Sequence, residues 1–189
     1  MKENNNHICP VWVGYLMVNP LRLLGQPPDK IIGPYLEPGM KAMDFGCAMG
    51  YFSIPMAQKV GKNGSVYCVD IQEKMLEELM KRAQKKNVHP IIIPTLIAEE
   101  NAYAELPDQL DFVLLFAVVH EVPDKKKLFD AISAHLKEGG KVLFAEPTGH
   151  VNASQFKNSL EYAVSSGLKK LRPLNIYRSH AMLLYKNGQ

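Results

Sequence analysis

A turn containing two glycines, with the sequence DFGCAMG at residues 44–50, has the clearest chemical character of any stretch in the chain. Such a turn lets the backbone approach a ligand, but it also serves plain tight packing. Taken alone it leaves dinucleotide, phosphate and sulfonium ligands open. A second feature narrows the choice, because Asp70 lies 20 residues after Gly50. A carboxylate at that distance can accept both hydroxyls of a ribose, so the spacing predicts a nucleoside ligand.

Asp44, directly before the glycines, indicates the charge of that ligand. A carboxylate at this place repels a pyrophosphate and attracts an ammonium group. The dinucleotide pattern G-x-G-x-x-G is also incomplete, because Gly46 and Gly50 are present but Ala48 and Ser53 stand where the other glycines would be. The turn therefore favours a cationic, amino-acid-bearing nucleoside over a dinucleotide.

Two later loops carry side chains that can move protons. His120 follows the predicted fourth strand, Glu146 ends the predicted fifth, and His150 lies in the loop after it. Loops at the carboxyl ends of parallel strands meet at the ligand-binding edge of an α/β sheet, so these three are the predicted catalytic residues. A base is needed only if the acceptor must lose a proton. The alternatives are a structural loop residue for His120 and a polar pocket wall for Glu146. The histidines lack metal-ligand spacing, and no metal is predicted.

Strand-like and helix-like segments alternate from residue 41 onward, and they must position these side chains. The apolar run at 111–118 is typical of a central parallel strand that is covered on both faces. The alternation predicts an α/β fold with a single Rossmann-like, doubly wound sheet and helices on both faces. The predicted strands are 41–45, 65–70, one within 90–97, 111–118, 141–146 and two within 168–186, and the predicted helices are 51–59, 73–86, 124–137 (stopped by Gly139-Gly140) and 152–165.

The motifs MDFGCAMG, VDIQEKML, FAVVHEVPD, GGKVLFAEP and SHAMLLYK together resemble the class I S-adenosylmethionine-dependent methyltransferases of the small-molecule type. The resemblance spans roughly residues 40–186 and implies about seven strands, the last of them antiparallel. It implies S-adenosylmethionine as the cofactor, with its methionine part near the glycine turn, its ribose at Asp70 and its adenine against Ile71. Glu99 is the candidate for the adenine amino group. The complete predicted cofactor-binding set is Asp44, Gly46, Cys47, Ala48, Gly50, Asp70, Ile71, Glu99 and Phe116. The sequence departs from the family at Ala48, where a glycine is usual.

The composition limits the classes of partner that the protein is expected to bind. The 189 residues suit one domain, and the formal net charge of +3 lacks the dense basic character of a nucleic-acid-binding protein. No apolar run reaches the roughly 18 residues of a membrane span, and the start of the chain lacks a signal-like apolar core. These features predict a cytoplasmic protein that binds neither nucleic acid nor membrane. The three cysteines are widely spaced without a CxxC pair, which argues against a disulfide framework or a structural zinc site. Thiol-based acceptor capture is not expected, because it would use several cysteines and only Cys9 is suitably placed.

Residues 1–40 form an irregular lead before the predicted cofactor-binding domain at 41–189. The lead is expected to pack on the core, either as an arm over a sheet edge or as a lid over the pocket. The resulting prediction is an enzyme that methylates a small molecule at oxygen, nitrogen or sulfur by in-line transfer. An S-adenosylmethionine-binding regulator without activity, a protein methyltransferase and an NAD-dependent reductase are the alternatives. The oligomeric state is left open.

Overall fold

The computed structural model of the chain describes residues 22–97 and 100–188. Its α-helices are α1 Arg22–Gly25, α2 Pro28–Ile31, α3 Ser53–Val60, α4 Glu73–Lys85, α5 Lys125–His135 and α6 Ala153–Ser165. Its strands are β1 Lys41–Phe45, β2 Ser65–Asp70, β3 Ile92–Leu96, β4 Leu110–Phe116, β5 Leu136–Pro147, β6 Leu168–Pro173 and β7 Ser179–Lys186. Short 3₁₀ helices lie at Gly33–Tyr35, Glu100–Glu105 and Val119–Glu121.

The strands form one seven-stranded sheet in the order β3-β2-β1-β4-β5-β7-β6. Strands β1 to β5 pair in parallel, and β7 lies antiparallel between β5 and β6. The predicted Rossmann-like sheet with an antiparallel last strand is therefore confirmed. The strand order reverses between β1 and β4, and the carboxyl ends of strands at such a point are where α/β sheets bind ligands.

Central strands are buried on both faces because successive side chains point to opposite sides of the sheet. Ala42 and Leu114 belong to one apolar cluster, whereas Met43 and Val113 belong to the other, and all four are fully buried. Helices α3 and α4 cover the first face, and α5 and α6 cover the second. Each large apolar side chain buried in this way contributes roughly 1.5–3 kcal/mol. This burial holds the strand ends in a fixed arrangement.

Helix α5 ends earlier than the predicted stop at Gly139-Gly140. It ends at His135, and β5 begins directly at Leu136, which pairs with Leu110. The Nζ of Lys186 donates to the carbonyl oxygens of Ser133 at 2.7 Å and Leu136 at 2.8 Å. A distant lysine therefore satisfies carbonyls at the helix end, and a glycine cap is not required.

Pro94 lies inside β3, where the sequence limits strand formation. It occupies a register position opposite Cys68 of β2. Strand β3 is the outermost strand on this side of the sheet. An edge strand tolerates proline because the missing N–H can face away from the neighbouring strand.

The described part of the lead packs on the core. Ile32 and Leu36 are buried in the same cluster as Phe112, and the ring of Tyr35 stacks on that of Phe112 with centroids 6.1 Å apart. Residues 31–36 therefore pack against β4, an interior strand of the sheet, and the choice between arm and lid stays a prediction. The remainder of the lead, residues 1–21, lies outside the described residues. Among the helices that the structure describes, none has the length and apolar character needed to cross a membrane.

Candidate active site

A cleft of about 310 Å³ opens at the carboxyl ends of β1 and β4, where the strand order reverses. The glycine turn after β1 forms its floor, and Phe116 at the end of β4 forms a wall. The complete lining is Arg22, Asp44, Gly46, Cys47, Ala48, Met49, Tyr51, Phe52 and Phe116. Most of the predicted cofactor-binding residues near the turn therefore line one cleft.

The turn itself depends on its glycines. Gly46 and Gly50 have φ angles of 76° and 81°, in the left-handed region. A Cβ atom on Gly46 would overlap Val118, and one on Gly50 would overlap Leu79. Gly50 therefore serves close packing against α4 and does not line the cleft. Ala48, the departure from the usual glycine, is held at φ 45°, a conformation that costs an L-residue roughly 1–2 kcal/mol.

Asp44 is buried beside the turn, with 3% of its surface exposed. Its Oδ2 accepts a hydrogen bond from the Ser53 hydroxyl at 2.5 Å. Burial raises the pKa of Asp44 to about 6, and the Ser53 hydrogen bond opposes that increase. Ionisation of Asp44 is therefore energetically unfavourable in the ligand-free protein. A cationic group of a bound ligand would stabilise the ionised form.

We expect Asp44→Asn to stabilise the ligand-free protein above pH 7 by up to about 3 kcal/mol, since one pKa unit corresponds to about 1.4 kcal/mol. The pKa of Asp44 is raised from 3.8 to about 6 on folding. The folded state therefore binds more protons between these pH values, and stability of the wild type falls as pH rises through them. Urea unfolding at pH 4 and pH 8 measures the difference. Asp29→Asn, at an exposed carboxyl, is the control. A loss of stability in Asp44→Asn of equal size at both pH values would contradict the prediction.

Asp70 ends β2 beside the same turn. Its Oδ2 accepts from the backbone N–H of Ala48, and its Oδ1 accepts from the backbone N–H of Gln72, both at 2.9 Å. Burial raises the pKa of Asp70, while these backbone N–H groups lower it. Ile71, the next residue, leaves 49% of its surface exposed. A fixed carboxylate beside an exposed apolar side chain suits a ribose and a flat base.

The half-buried His120, on the loop after β4, forms a dyad with the buried Glu146 near the end of β5. The Nδ1 of His120 lies 2.5 Å from Oε2 of Glu146, and the backbone N–H of His120 donates to Oε1 at 3.1 Å. The Glu146 side chain is 2% exposed. Hydrogen bonding to Glu146 raises the pKa of His120, burial lowers it, and the charge of Glu146 raises it further. Glu146 thereby fixes the ring orientation and directs Nε2 away from itself.

His150 and Glu121 complete the group at the rim. The Nδ1 of His150 lies 3.5 Å from the Nε2 of His120, and the two rings meet edge to face. The Glu121 carboxylate lies 3.9 Å from the same Nε2. Burial raises the pKa of Glu121, and the charge of Asp70 adds to the increase. The charge of Asp70, the carboxylate predicted to bind ribose, therefore acts on Glu121 beside the His120–Glu146 dyad.

A model of the methyltransferase domain family matches residues 36–181 of the chain. That range contains the glycine turn, both strand-end carboxylates and the histidine dyad. The chain belongs to this methyltransferase family. The resemblance to class I S-adenosylmethionine-dependent methyltransferases is confirmed, and S-adenosylmethionine is the cofactor.

Curated relatives are identical to this chain at about three in ten of the aligned residues. An aklanonic acid methyltransferase of a Streptomyces species is 29% identical over 58% of this chain and 49% of its own length. A demethylmenaquinone methyltransferase of Bacillus mycoides is 28% identical over 59% of this chain and 46% of its own. A ubiquinone biosynthesis O-methyltransferase of Leptothrix cholodnii is 31% identical over 68% of this chain and 51% of its own. The chain spans about half the length of these relatives.

Solved structures share the fold. A SAM-dependent methyltransferase from Aquifex aeolicus superposes with a TM-score of 0.78 at 19% identity, covering 94% of this chain and 98% of that one. The cyclase SpnF superposes with a TM-score of 0.73 at 12% identity, covering 95% of this chain and 97% of that one. One fold therefore occurs with differently named activities, and the site's own chemistry must decide the reaction.

The residues of the methyltransferase fit its cofactor. Asp44 can accept from an ammonium group, Asp70 offers fixed carboxylate oxygens to ribose hydroxyls, and Ile71 presents apolar surface to an adenine. The predicted adenine contact, Glu99, lies outside the described residues. Within the described ranges, no group of three or more His, Cys, Asp or Glu side chains is arranged to hold a metal ion.

The structure brings His120, Glu146 and His150 together, although they come from two separate loops. It also adds cleft residues that sequence reasoning missed, namely Arg22, Tyr51 and Phe52. Tyr51 and Phe52 directly follow Gly50, and this position next to the turn could have identified them as cleft residues from the sequence. Arg22 comes from the irregular lead, where no sequence pattern indicates a pocket.

Proposed function

We propose that this protein methylates a hydroxyl group of a small molecule, with His120 as the general base. The observation that carries the proposal is the His120–Glu146 dyad. His120 lies on the loop that follows β4, and Phe116 at the end of that strand lines the cofactor cleft. S-adenosylmethionine, which Asp44 and Asp70 would hold, would supply the methyl group from its sulfonium and would leave as S-adenosylhomocysteine. The protein's own contribution is to orient the acceptor and remove its proton.

The hydrogen bond between His120 and Glu146 orients the imidazole as a general base requires. The carboxylate of Glu146 accepts a hydrogen bond from the Nδ1–H of His120, so Nε2 carries the lone pair that accepts the acceptor's proton. A buried carboxylate then stabilises the imidazolium that forms. His150 is exposed and lies next along this line, which gives the proton an exit toward solvent.

This arrangement favours oxygen over the other acceptor atoms. A neutral amine attacks through its lone pair and can lose its proton afterwards. A thiol has a pKa near 8.5 and ionises readily, whereas a phenol has a pKa near 10. A phenolic or enolic hydroxyl therefore gains most from a neighbouring base. The names of an aklanonic acid methyltransferase and a demethylmenaquinone methyltransferase support a small-molecule acceptor. The name of the ubiquinone biosynthesis O-methyltransferase also supports transfer to oxygen.

Radiolabelled S-adenosylmethionine with a panel of phenols, enols, amines and thiols tests the proposal. We expect labelled product from a phenol or enol, together with stoichiometric S-adenosylhomocysteine. Labelled amines or thiols alone would overturn the choice of acceptor.

The likeness in fold to the cyclase SpnF favours one second candidate, a cofactor-binding protein that transfers no methyl group. Cofactor binding without transfer to any acceptor would support that candidate.

We expect turnover to fall as pH decreases through the pKa of His120, because the protonated ring cannot accept a proton. That pKa is raised above its ordinary value of 6.5, mainly by the hydrogen bond to Glu146. Glu146→Gln removes the carboxylate charge while keeping an acceptor oxygen, so the acidic limb of the kcat–pH profile should move to lower pH. Steady-state kinetics across pH measures the shift.

Glu121→Gln is the matched control for this shift. Glu121 also raises the pKa of His120, but only through its charge, and Lys125 opposes it. We expect a smaller shift in the same direction. Equal shifts in the two variants would show that a general negative field, and not the Glu146 hydrogen bond, sets the pKa of His120.

A further inference from the structure

Glu121 has no part in the proton transfer proposed above, although its carboxylate lies beside the base. Its Oε1 is 3.9 Å from the Nε2 of His120, the nitrogen that would accept the proton. The Glu121 side chain keeps 37% of its surface exposed, so a bound molecule can reach it. A carboxylate oxygen and an imidazole lone pair are both hydrogen-bond acceptors. The loop after β4 therefore presents two acceptors side by side.

The charges that act on Glu121 come from both the cofactor side and the base side of the site. His120 and Glu146 act on it from the dyad, and His150 acts on it from the loop after β5. Asp70, the carboxylate predicted to bind ribose, acts on it from the end of β2. Glu121 therefore borders the space between the predicted cofactor and the base, which is where an acceptor must lie to receive a methyl group.

The distance between these two acceptor atoms suits a molecule with two neighbouring hydroxyl groups. Each hydrogen bond from a hydroxyl to Nε2 of His120 or Oε1 of Glu121 would span about 2.7–2.9 Å. Hydroxyls on adjacent ring carbons point apart, so their hydrogen bonds reach acceptors that are spaced more widely than the two hydroxyl oxygens. Hydroxyls one carbon further apart begin at a wider spacing and diverge more. The observed spacing of 3.9 Å therefore favours the adjacent arrangement.

We propose that Glu121 selects acceptors that carry a second hydroxyl on the carbon next to the hydroxyl that is methylated. This selection rests on the proposed function, because it acts on the hydroxyl that His120 deprotonates. The reacting oxygen forms its bond to the methyl carbon while the bond from that carbon to sulfur breaks, and the electron pair of that bond stays on sulfur. The proton of the reacting hydroxyl passes to Nε2 of His120.

The second hydroxyl donates to Glu121 throughout the transfer and holds the reacting oxygen beside the base. An acceptor that lacks this hydroxyl leaves the carboxylate of Glu121 without a donor. Sites built to bind a substrate hydroxyl discriminate strongly against analogues that lack it. Glu121 is thus expected to determine which hydroxyl compounds are methylated, while His120 removes the proton.

Steady-state kinetics of the full chain with S-adenosylmethionine and three acceptors tests this role. The acceptors are ortho-dihydroxybenzene, meta-dihydroxybenzene and phenol. We expect kcat/KM for the ortho isomer to exceed that for the other two by about tenfold to a hundredfold, the range for one hydrogen bond to a charged group. In Glu121→Met, this preference should fall by the same factor, mainly through a higher KM for the ortho isomer. Glu121→Gln keeps one acceptor oxygen and should retain part of the preference.

Glu146→Gln is the matched control, because Glu146 also raises the pKa of His120. Its side chain is 2% exposed and is bonded to His120, so it does not reach the acceptor. An effect through the base alone should change the rates of all three acceptors by similar factors. We therefore expect Glu146→Gln to keep the preference for the ortho isomer and Glu121→Met to lose it.

A preference for the ortho isomer that survives in Glu121→Met would overturn this inference alone. Equal methylation of all three acceptors by the wild type would also overturn it, with the proposed hydroxyl chemistry intact. Failure of the wild type to methylate any hydroxyl would overturn it together with the proposed function.

Discussion

Replacing His120 with asparagine is expected to lower kcat by about 10²- to 10⁴-fold, the usual contribution of a positioned general base. Asparagine places an amide N–H near the position of the histidine Nδ1, so Glu146 keeps a donor. This matters because Glu146 is buried, and a buried carboxylate without a partner would add a loss of stability. Asparagine cannot accept the acceptor's proton. The affinity for S-adenosylmethionine, measured by calorimetry, should remain that of the wild type.

His135 provides the control for this substitution. Its Nδ1 lies 2.9 Å from the Asp108 carboxylate, at the end of α5. His135→Asn therefore makes the same exchange in a histidine–carboxylate pair outside the cleft. We expect at most a small change in kcat. If His120→Asn reduced kcat no more than His135→Asn does, the dyad would have a structural role and the proposed base would be wrong.

Replacing Asp70 with alanine is expected to weaken S-adenosylmethionine binding by a hundredfold or more. Each hydrogen bond from a ribose hydroxyl to the carboxylate contributes about 1.5–3 kcal/mol, and about 1.4 kcal/mol is a factor of ten. Asp70 also accepts from the backbone N–H of Ala48, so alanine releases a turn residue that is held in the left-handed region. Calorimetric titration with S-adenosylmethionine and with S-adenosylhomocysteine measures the loss.

Asp124→Ala separates a binding role from a loss of stability. Asp124 is also a carboxylate that accepts from a backbone N–H group, that of Lys127 at 2.9 Å, at the start of α5. Its loss should cost about 1 kcal/mol of stability and leave cofactor affinity unchanged. Asp70→Asn, which keeps one acceptor oxygen, should fall between the wild type and alanine. Unchanged affinity in Asp70→Ala would remove the end of β2 from the cofactor site.

The order of strands and helices was predictable because it depends on local pattern. The apolar run at the fourth strand predicted a central strand, and β4 is buried on both faces. Where the fold departs from prediction, a distant partner is the cause. Helix α5 ends at His135 because Lys186 binds the carbonyls there, and no local pattern contains that contact. Pro94 is accepted in β3 because the strand lies at the edge of the sheet.

The candidate catalytic residues were also predictable only in part. The positions of His120, Glu146 and His150 at or after the ends of strands were predicted from the sequence, but the contacts among the three were not. The parallel register of β4 and β5 pairs Phe116 with Ala145, and this pairing brings Glu146 beside the loop that carries His120. A shift of one residue would turn Glu146 to the other face of the sheet.

From the sequence alone, the turn at residues 44–50 and Asp70 already determined the cofactor class, since spacing along one strand–turn–helix–strand unit sets where its charges lie. Only the tertiary structure decided that His120 and Glu146 form a dyad and that Arg22 enters the cleft. Both arrangements join segments that are distant in the chain, His120 with Glu146 and the lead with Tyr51 and Tyr177. Such contacts depend on strand register and on the packing of the whole domain, which local sequence patterns do not specify.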